Sequence, residues 1–263
     1  MVGGIALRSG SSGNASLIKN GDACFLVDCG INGKNLLLAL AEAGESPAAI
    51  DGILITHEHS DHVSGLGVVL RRYKIPVYIS QKVFEAILPR LGKFDPSLIH
   101  IIEPETEFLI KDQSIRSFLV PHDAPETLGY RFMTAQGDIT VCTDIGQITP
   151  EVMAKIEGSR LLFLESNYDP DLLNSGPYPW PLKQRIRNGQ GHLSNLQCGE
   201  GLCRLVEAGA EQITLCHLSR ENNHPAIAEL ASVQALAGIQ AKVGEDYLIQ
   251  VARRYDLSDW MQI

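Results

Sequence analysis

The stretch Thr56-His57-Glu58-His59-Ser60-Asp61-His62 follows the apolar run Gly52-Ile53-Leu54-Ile55. It sets four metal-ligating side chains, His57, His59, Asp61 and His62, inside six residues. In an extended segment, side chains two apart point to the same side, so His57 and His59 can grip one ion. Asp61 and His62 follow on a tighter turn and can face a second ion close by. The apolar run reads as a buried strand, which puts the cluster at a strand's C-terminal end. Imidazole and carboxylate groups at this density form the donor set of a metal site rather than a solvated turn.

The chain has 263 residues, 44% of them hydrophobic, which is ample for a buried core. No apolar run approaches the roughly 20 residues that a membrane span needs. Met1-Val2-Gly3-Gly4-Ile5-Ala6-Leu7-Arg8 lacks the basic-then-apolar design of a secretory signal, so a cytoplasmic protein away from membranes is expected. Cys24, Cys29, Cys142, Cys198, Cys203 and Cys216 lie mostly in apolar segments and read as core thiols. Cys198 and Cys203 lack the short spacing of a zinc knuckle. The net charge of −9 argues against a broad basic surface for nucleic acid. A local groove beside bound cations remains open, because their charge is outside that count.

Strand-like runs fall at 24–28, 53–56, 77–80, 115–120, 139–143, 161–165, 213–218 and 247–252. Helical patterns fall between them at 34–43, 66–73, 83–91, 150–156, 196–207 and 226–237. The interleaving predicts an α/β class. No repeat or low-complexity linker divides the chain, so one domain over residues 1–263 is expected. The segment 169–191 carries Pro170, Pro177, Pro179 and Pro181 with Gly176, Gly189 and Gly191, and is expected to hold neither helix nor strand. Ser194, with Gln197 three residues on, reads as a capping box at a helix start, and His192 precedes it.

Three more donors follow apolar runs. His122 comes after Ser117-Phe118-Leu119-Val120-Pro121, Asp144 after Ile139-Thr140-Val141-Cys142-Thr143, and His217 after Ile213-Thr214-Leu215-Cys216. With residues 57–62 they supply enough ligands for two divalent ions. Asp144 is the natural bridge, since a carboxylate can give one oxygen to each. Nitrogen and oxygen donors without a thiolate admit zinc and manganese equally.

Taken in order, Leu26-Val27-Asp28-Cys29-Gly30, His57-x-His59-x-Asp61-His62, His122, Asp144 and His217 resemble the five motifs of the metallo-β-lactamase superfamily, over nearly the whole chain. The resemblance implies an αββα four-layer sandwich with a dinuclear site at one edge of its two sheets. It assigns His57, His59 and His122 to the first ion, Asp61, His62 and His217 to the second, and Asp144 to both. Asp28 either orients ligands or closes a turn before Gly30. Secreted lactamases of this fold carry a thiol, or no ligand, where Asp144 stands. Diiron flavoprotein relatives carry Glu where His59 stands. Both departures favour a hydrolase using a hydroxide bridged between two Lewis acids.

The opening Arg8-Ser9-Gly10-Ser11-Ser12-Gly13-Asn14 resembles that of the YycJ (WalJ) subgroup, as do residues 164–169, 191–195 and 217–223. This implies exonuclease action on DNA, with kinship to the tRNA-processing and RNA-degrading branches. Nucleic acid is the expected partner, DNA ahead of RNA. A phosphodiester needs an acid for its departing sugar oxygen. His192 suits that role, on a loop before a helix start whose N–H groups can meet phosphate. Glu165 resembles the acidic partner that holds it, and Asp61, His192 and Glu165 are the expected catalytic residues. Ser11, Ser12, Asn14, Lys183, Arg185, Arg187 and Arg220 are the expected substrate contacts. Tyr168, Tyr178 and Trp180 offer faces for base stacking. The rival reading is a small-molecule hydrolase acting on a thioester, lactone or cyclic phosphodiester, which needs neither His192 nor the basic run. A non-enzymatic metal module ranks below both, because structural sites close their coordination with four protein ligands.

Overall fold

The computed structural model describes residues 1–263. Its strands are β1 (Val2–Arg8), β2 (Ala15–Asn20), β3 (Ala23–Val27), β4 (Gly52–Leu54), β5 (Val77–Ile79), β6 (Ile99–Ile101), β7 (Glu107–Ile110), β8 (Gln113–Leu119), β9 (Leu128–Phe132), β10 (Asp138–Cys142), β11 (Ser159–Glu165), β12 (Gln212–Cys216), β13 (Leu248–Val251) and β14 (Met261–Gln262). They pair as two seven-stranded sheets, in the orders β14-β1-β2-β3-β4-β5-β6 and β13-β12-β11-β10-β9-β8-β7. The helices are α1 (Gly33–Glu42), α2 (Ser60–Val63), α3 (Leu66–Arg72), α4 (Gln81–Leu91), α5 (Pro150–Ile156), α6 (Pro170–Ser175), α7 (Trp180–Arg187), α8 (Asn195–Glu207) and α9 (Pro225–Gly238). None is long and apolar enough to cross a membrane.

Ala23–Val27 of the first sheet and Leu161–Leu164 of the second are apolar at consecutive positions, so both faces of each sheet must be covered. The pleat sends alternate side chains to opposite faces. In β3, Cys24 and Leu26 join a core with Leu36, Leu40, Val69 and Ile87 from α1, α3 and α4. Phe25 and Val27 instead enter a core shared with Tyr130, Phe132, Val141 and Phe163 of the second sheet. In β11, Leu161 and Phe163 face that shared core, whereas Leu162 and Leu164 pack on Val152, Leu202 and Leu236 of α5, α8 and α9. Three stacked cores therefore separate four layers: helices, sheet, sheet, helices. This is the expected αββα sandwich.

Strands β3 to β6 run parallel, as do β10 to β13. Two antiparallel pairings separate β8 from β10, so β8 points the same way as β10. The segments after β3, β4, β8, β10, β11 and β12 carry Asp28, the expected metal donors and His192. Glu165 ends β11, and the β1–β2 loop carries Ser11, Ser12 and Asn14.

Residues 169–191 depart from the expectation, because α6 and α7 both form there. Proline breaks a helix interior, but in the first turn its missing N–H is not needed. Pro170 opens α6 behind an Asp169 cap whose Oδ1 accepts from the Asp171 and Leu172 amides, and Pro181 lies in the first turn of α7. Strands β1, β2, β6, β7, β9 and β14 have no counterpart among the eight strand-like runs above. The capping box of Ser194 and Gln197 forms as expected.

Candidate metal centre

Three site residues leave their strands in the left-handed backbone region: Asp28 (φ 64°), Asp144 (φ 55°) and His217 (φ 55°). For residues other than glycine that conformation is costly, and it persists where the surroundings over-determine it. Here it turns the chain sharply at the end of β3, just past β10 and at the end of β12, aiming each side chain over the sheet edge. The 59–63 turn is braced by backbone bonds: the Asn14 amide donates to Asp61 O (2.8 Å) and the Cys29 amide to His62 O (2.8 Å). Gly30 is required beside it, because a Cβ there would lie 1.6 Å from Asp61 O.

Asp28 organises the histidines. The Thr56 amide and hydroxyl donate to Asp28 Oδ1 (2.9 and 3.0 Å), and His62 Nδ1 donates to Asp28 Oδ2 (2.7 Å). With its proton given to Asp28, the Thr56 hydroxyl accepts from His57 Nδ1 at 3.0 Å. His122 Nδ1 donates to Gly191 O at 2.8 Å. In each ring the Nδ1 bond fixes the tautomer and leaves Nε2 as the donor atom, the arrangement of metal-ligating histidines. Asp28 is thus an orienting residue, and the turn-closing alternative is subsidiary.

The donor atoms gather in two groups. Those of His57, His59 and His122 lie within 4.8 Å of one another, as do those of Asp61, His62 and His217. Asp144 stands between them, with Oδ2 3.2 Å from His62 Nε2 and Oδ1 3.8 Å from His122 Nε2. His57 Nε2, His122 Nε2 and Asp144 Oδ2 are buried without a hydrogen-bond partner. Buried polar atoms without partners are rare and costly. Orphaned atoms of ligand type, converging on one place, fit a divalent metal.

Burial holds His57 well below the ordinary imidazole range, and it lowers His122 as well, so both are neutral and ready to ligate. His62 and His217 go the other way. Burial opposes their protonation, but Asp144 and Asp28 outweigh it at His62, while Asp144, Asp61 and Glu165 raise His217 to about 10.

Glu165 and His192 form the wall beside this cluster. Glu165 has no solvent exposure, and its Oε2 accepts from the Ile145 amide at 2.7 Å. Its Oε1 lies 2.7 Å from His192 Nδ1. Burial disfavours protonated His192, yet the Glu165 charge and hydrogen bond raise it overall. His192 and His217 line a cleft of about 280 Å³ with Ser11, Asn167, Tyr178 and Ser219.

The expected substrate contacts are placed less uniformly. Ser11 lines the cleft and Ser12 is exposed outside it. Asn14 is buried: its Oδ1 accepts from the Gly10 amide (2.7 Å) and its Nδ2 reaches Asp61 Oδ2 (3.3 Å) and His62 Nε2 (3.0 Å), so it braces the ligand turn. Lys183 is buried as well, with Nζ donating to Asn174 O and Gly176 O (2.7 Å each) at the end of α6, where helix carbonyls lack partners. Arg185 pairs with Asp123, while Arg187 donates to Asn174 Oδ1 and stacks 5.5 Å from the Trp180 ring. Lys183 and Arg187 thus tie α7 to α6, while Arg185, paired with Asp123, stays largely exposed on the wall of the cleft. Arg220 is exposed, outside the cleft.

Thr56, Asp123 and Asn167 escaped the sequence reading as individual site residues. Each adjoins a residue that was singled out, and Asn167 Nδ2 donates to His217 O at 2.6 Å. That adjacency was the available signal.

An αββα sandwich with paired donor groups at its strand ends defines a metal-dependent hydrolase. Residues 24–218 match the family model of the β-lactamase superfamily domain. The chain is 39% identical to Exodeoxyribonuclease WalJ of Streptococcus pneumoniae, covering 92% of this chain and 91% of that one. It is 33% identical to Exodeoxyribonuclease YycJ of Bacillus anthracis, covering 92% of each. Among solved structures, the metallo-β-lactamase fold protein YhfI from Bacillus subtilis superposes with a TM-score of 0.72 at 17% identity over 97% of each chain. The chain belongs to the metallo-β-lactamase superfamily, in the branch of the WalJ and YycJ proteins.

Proposed function

We propose that this protein is a metal-dependent phosphodiesterase that removes nucleotides from the ends of DNA, acting in the cytoplasm as one domain over residues 1–263. The observation that carries the reading is the Glu165–His192 pair, 2.7 Å apart, with His192 on the wall of the cleft that His59, Asp61, Asp144 and His217 also line. An ester with a good leaving group needs no such acid, whereas a departing sugar alkoxide does. Two relatives that match over 92% of the chain are exodeoxyribonucleases by name, which supports DNA as the substrate.

Two divalent ions, zinc or manganese, would be held by His57, His59 and His122 and by Asp61, His62 and His217, with Asp144 shared. Bound there, they would polarise the phosphoryl group and make water a nucleophile at neutral pH. The chain's own residues do the rest. Glu165 holds His192 by Nδ1 and favours its protonated form, whose Nε2 proton can pass to the departing sugar oxygen. Asp28 and Thr56 keep His57 and His62 in the ligating tautomer. Ser11, Tyr178 and Ser219 line the cleft where the strand end would lie.

The test is protein loaded separately with zinc and with manganese, incubated with end-labelled single- and double-stranded DNA and RNA. A thioester and bis-p-nitrophenyl phosphate accompany them. Stepwise release of nucleotides from a DNA end is the expected result. Thioester hydrolysis without DNA cleavage would replace the nuclease with the small-molecule hydrolase.

A further inference from the structure

A second, larger cavity of about 590 Å³ adjoins the cleft, and Ser219 lines both. Arg220, Arg253 and Arg254 line it, with Glu229 and Asp259. These cations are not equivalent. Arg253 is neutralised by Asp259, with Nη2 3.4 Å from Oδ1. Arg220 is exposed and meets only Glu221, at 3.8 Å. Arg254 is half-buried and has no carboxylate within ion-pair distance.

Arg254 is nonetheless fixed in place. Its Nη2 donates to Leu218 O at 2.5 Å, one residue beyond His217, and its Nη1 donates to Ser11 Oγ at 3.4 Å on the cleft wall. A Cβ at Gly10 would lie 2.8 Å from the same Nη1, so the guanidinium packs directly against the Gly10-Ser11 turn. A guanidinium carries five N–H donors, and these contacts occupy two of them. A partly desolvated cation without a counter-ion is costly, and an anion offsets that cost. Phosphate matches the remaining planar fork.

We propose that Arg254, with Arg220, forms a phosphate subsite that holds the substrate backbone at least one nucleotide away from the bond being cut. The inference rests on the phosphodiesterase reading above and extends it: the strand would pass from the cleft over Ser219 into the second cavity. It also places a backbone contact on Arg254, a cation with no carboxylate partner, whereas Lys183 is buried against Asn174 O and Gly176 O and Arg185 pairs with Asp123.

The test compares kcat/KM for a longer single-stranded oligonucleotide with that for a dinucleotide, on metal-loaded wild type, Arg254→Gln and Arg220→Gln. The ratio is taken within one preparation, so a misfolded fraction cancels. Arg220→Gln changes an exposed side chain with no backbone contact, which makes it a second variant with little risk to folding. Arg254→Gln should lower the ratio by roughly 10-fold or more, the usual worth of a charged hydrogen-bonded contact. The salt dependence of oligonucleotide binding should flatten by about one unit on a log–log plot for each arginine removed. An Arg254→Gln enzyme that keeps both the wild-type ratio and the salt slope overturns the subsite alone. A wild type that neither binds nor cuts oligonucleotides overturns the phosphodiesterase reading and the subsite with it.

Discussion

His192 Nδ1 stands 2.7 Å from Glu165 Oε1, an oxygen that also lies 3.1 Å from Nδ1 of His217. One buried carboxylate thus orients both the proposed acid and one of the proposed ligands. It ties the position of a proton to the position of a metal donor.

Replacing His192 by Ala should cut hydrolysis of a DNA phosphodiester by roughly 10²–10⁴-fold, the usual worth of a positioned acid. A nitrophenyl phosphodiester should suffer far less, since nitrophenolate departs without a proton. Metal content, measured by elemental analysis, should stay at the wild-type value. Equal losses on the two substrates would assign His192 to positioning.

Glu165→Gln keeps a hydrogen-bond acceptor beside His192 and removes its charge. The acid must be protonated to act, so turnover of DNA falls as pH rises through the His192 pKa. Burial lowers that pKa and the Glu165 charge raises it above the ordinary value. Without the charge, the falling limb of the pH–rate profile should move to lower pH. A limb left in place would mean that another group carries the proton.

Metal uptake should release protons. His62 and His217 are both raised before metal enters, the latter to about 10, so both are protonated at neutral pH. Ligation needs the neutral imidazole. Calorimetric titration in buffers of different ionisation enthalpy should therefore report about two protons released per chain as the ligands deprotonate. The release should shrink as pH rises through these elevated values. Uptake without proton release at neutral pH would contradict the assignment of His62 and His217 as ligands.

Gly30→Ala tests the ligand turn without touching a donor atom. The added Cβ would lie 1.6 Å from Asp61 O, against backbone that cannot swing aside. Overpacking of this kind costs about 1–3 kcal/mol and forces local backbone shifts. The variant should melt lower and bind metal more weakly. Gly238→Ala, at the end of α9 where nothing lies within 4 Å of the new Cβ and φ is not positive, should leave metal affinity unchanged.

The donor set was legible because each later member follows an apolar run that reads as a buried strand: Asp144 after β10, His217 after β12. Strand β9 was not, and its reason is physical. Gly129 weakens the strand signal, yet it is paired with Phe118, whose ring a Cβ there would meet at 2.3 Å. The glycine that hides the strand is the one that lets it pack. Helices α6 and α7 were masked by prolines that sit in first turns, where they cost little. Lys183 reads as a surface cation until the end of α6 folds against it, a tertiary event with no mark in the local sequence.

The donors are divided between the two sheets. His57, His59, Asp61 and His62 follow β4 of the first, while His122, Asp144 and His217 follow β8, β10 and β12 of the second. During synthesis the earliest ligands leave the ribosome long before the latest, and the sheets must dock before the two sets meet. A growing chain carrying only the first half therefore holds His57, His59, Asp61 and His62 without their partners from the second sheet. Only a docked pair of sheets brings the full donor set together, so a completed site is also a mark of completed folding.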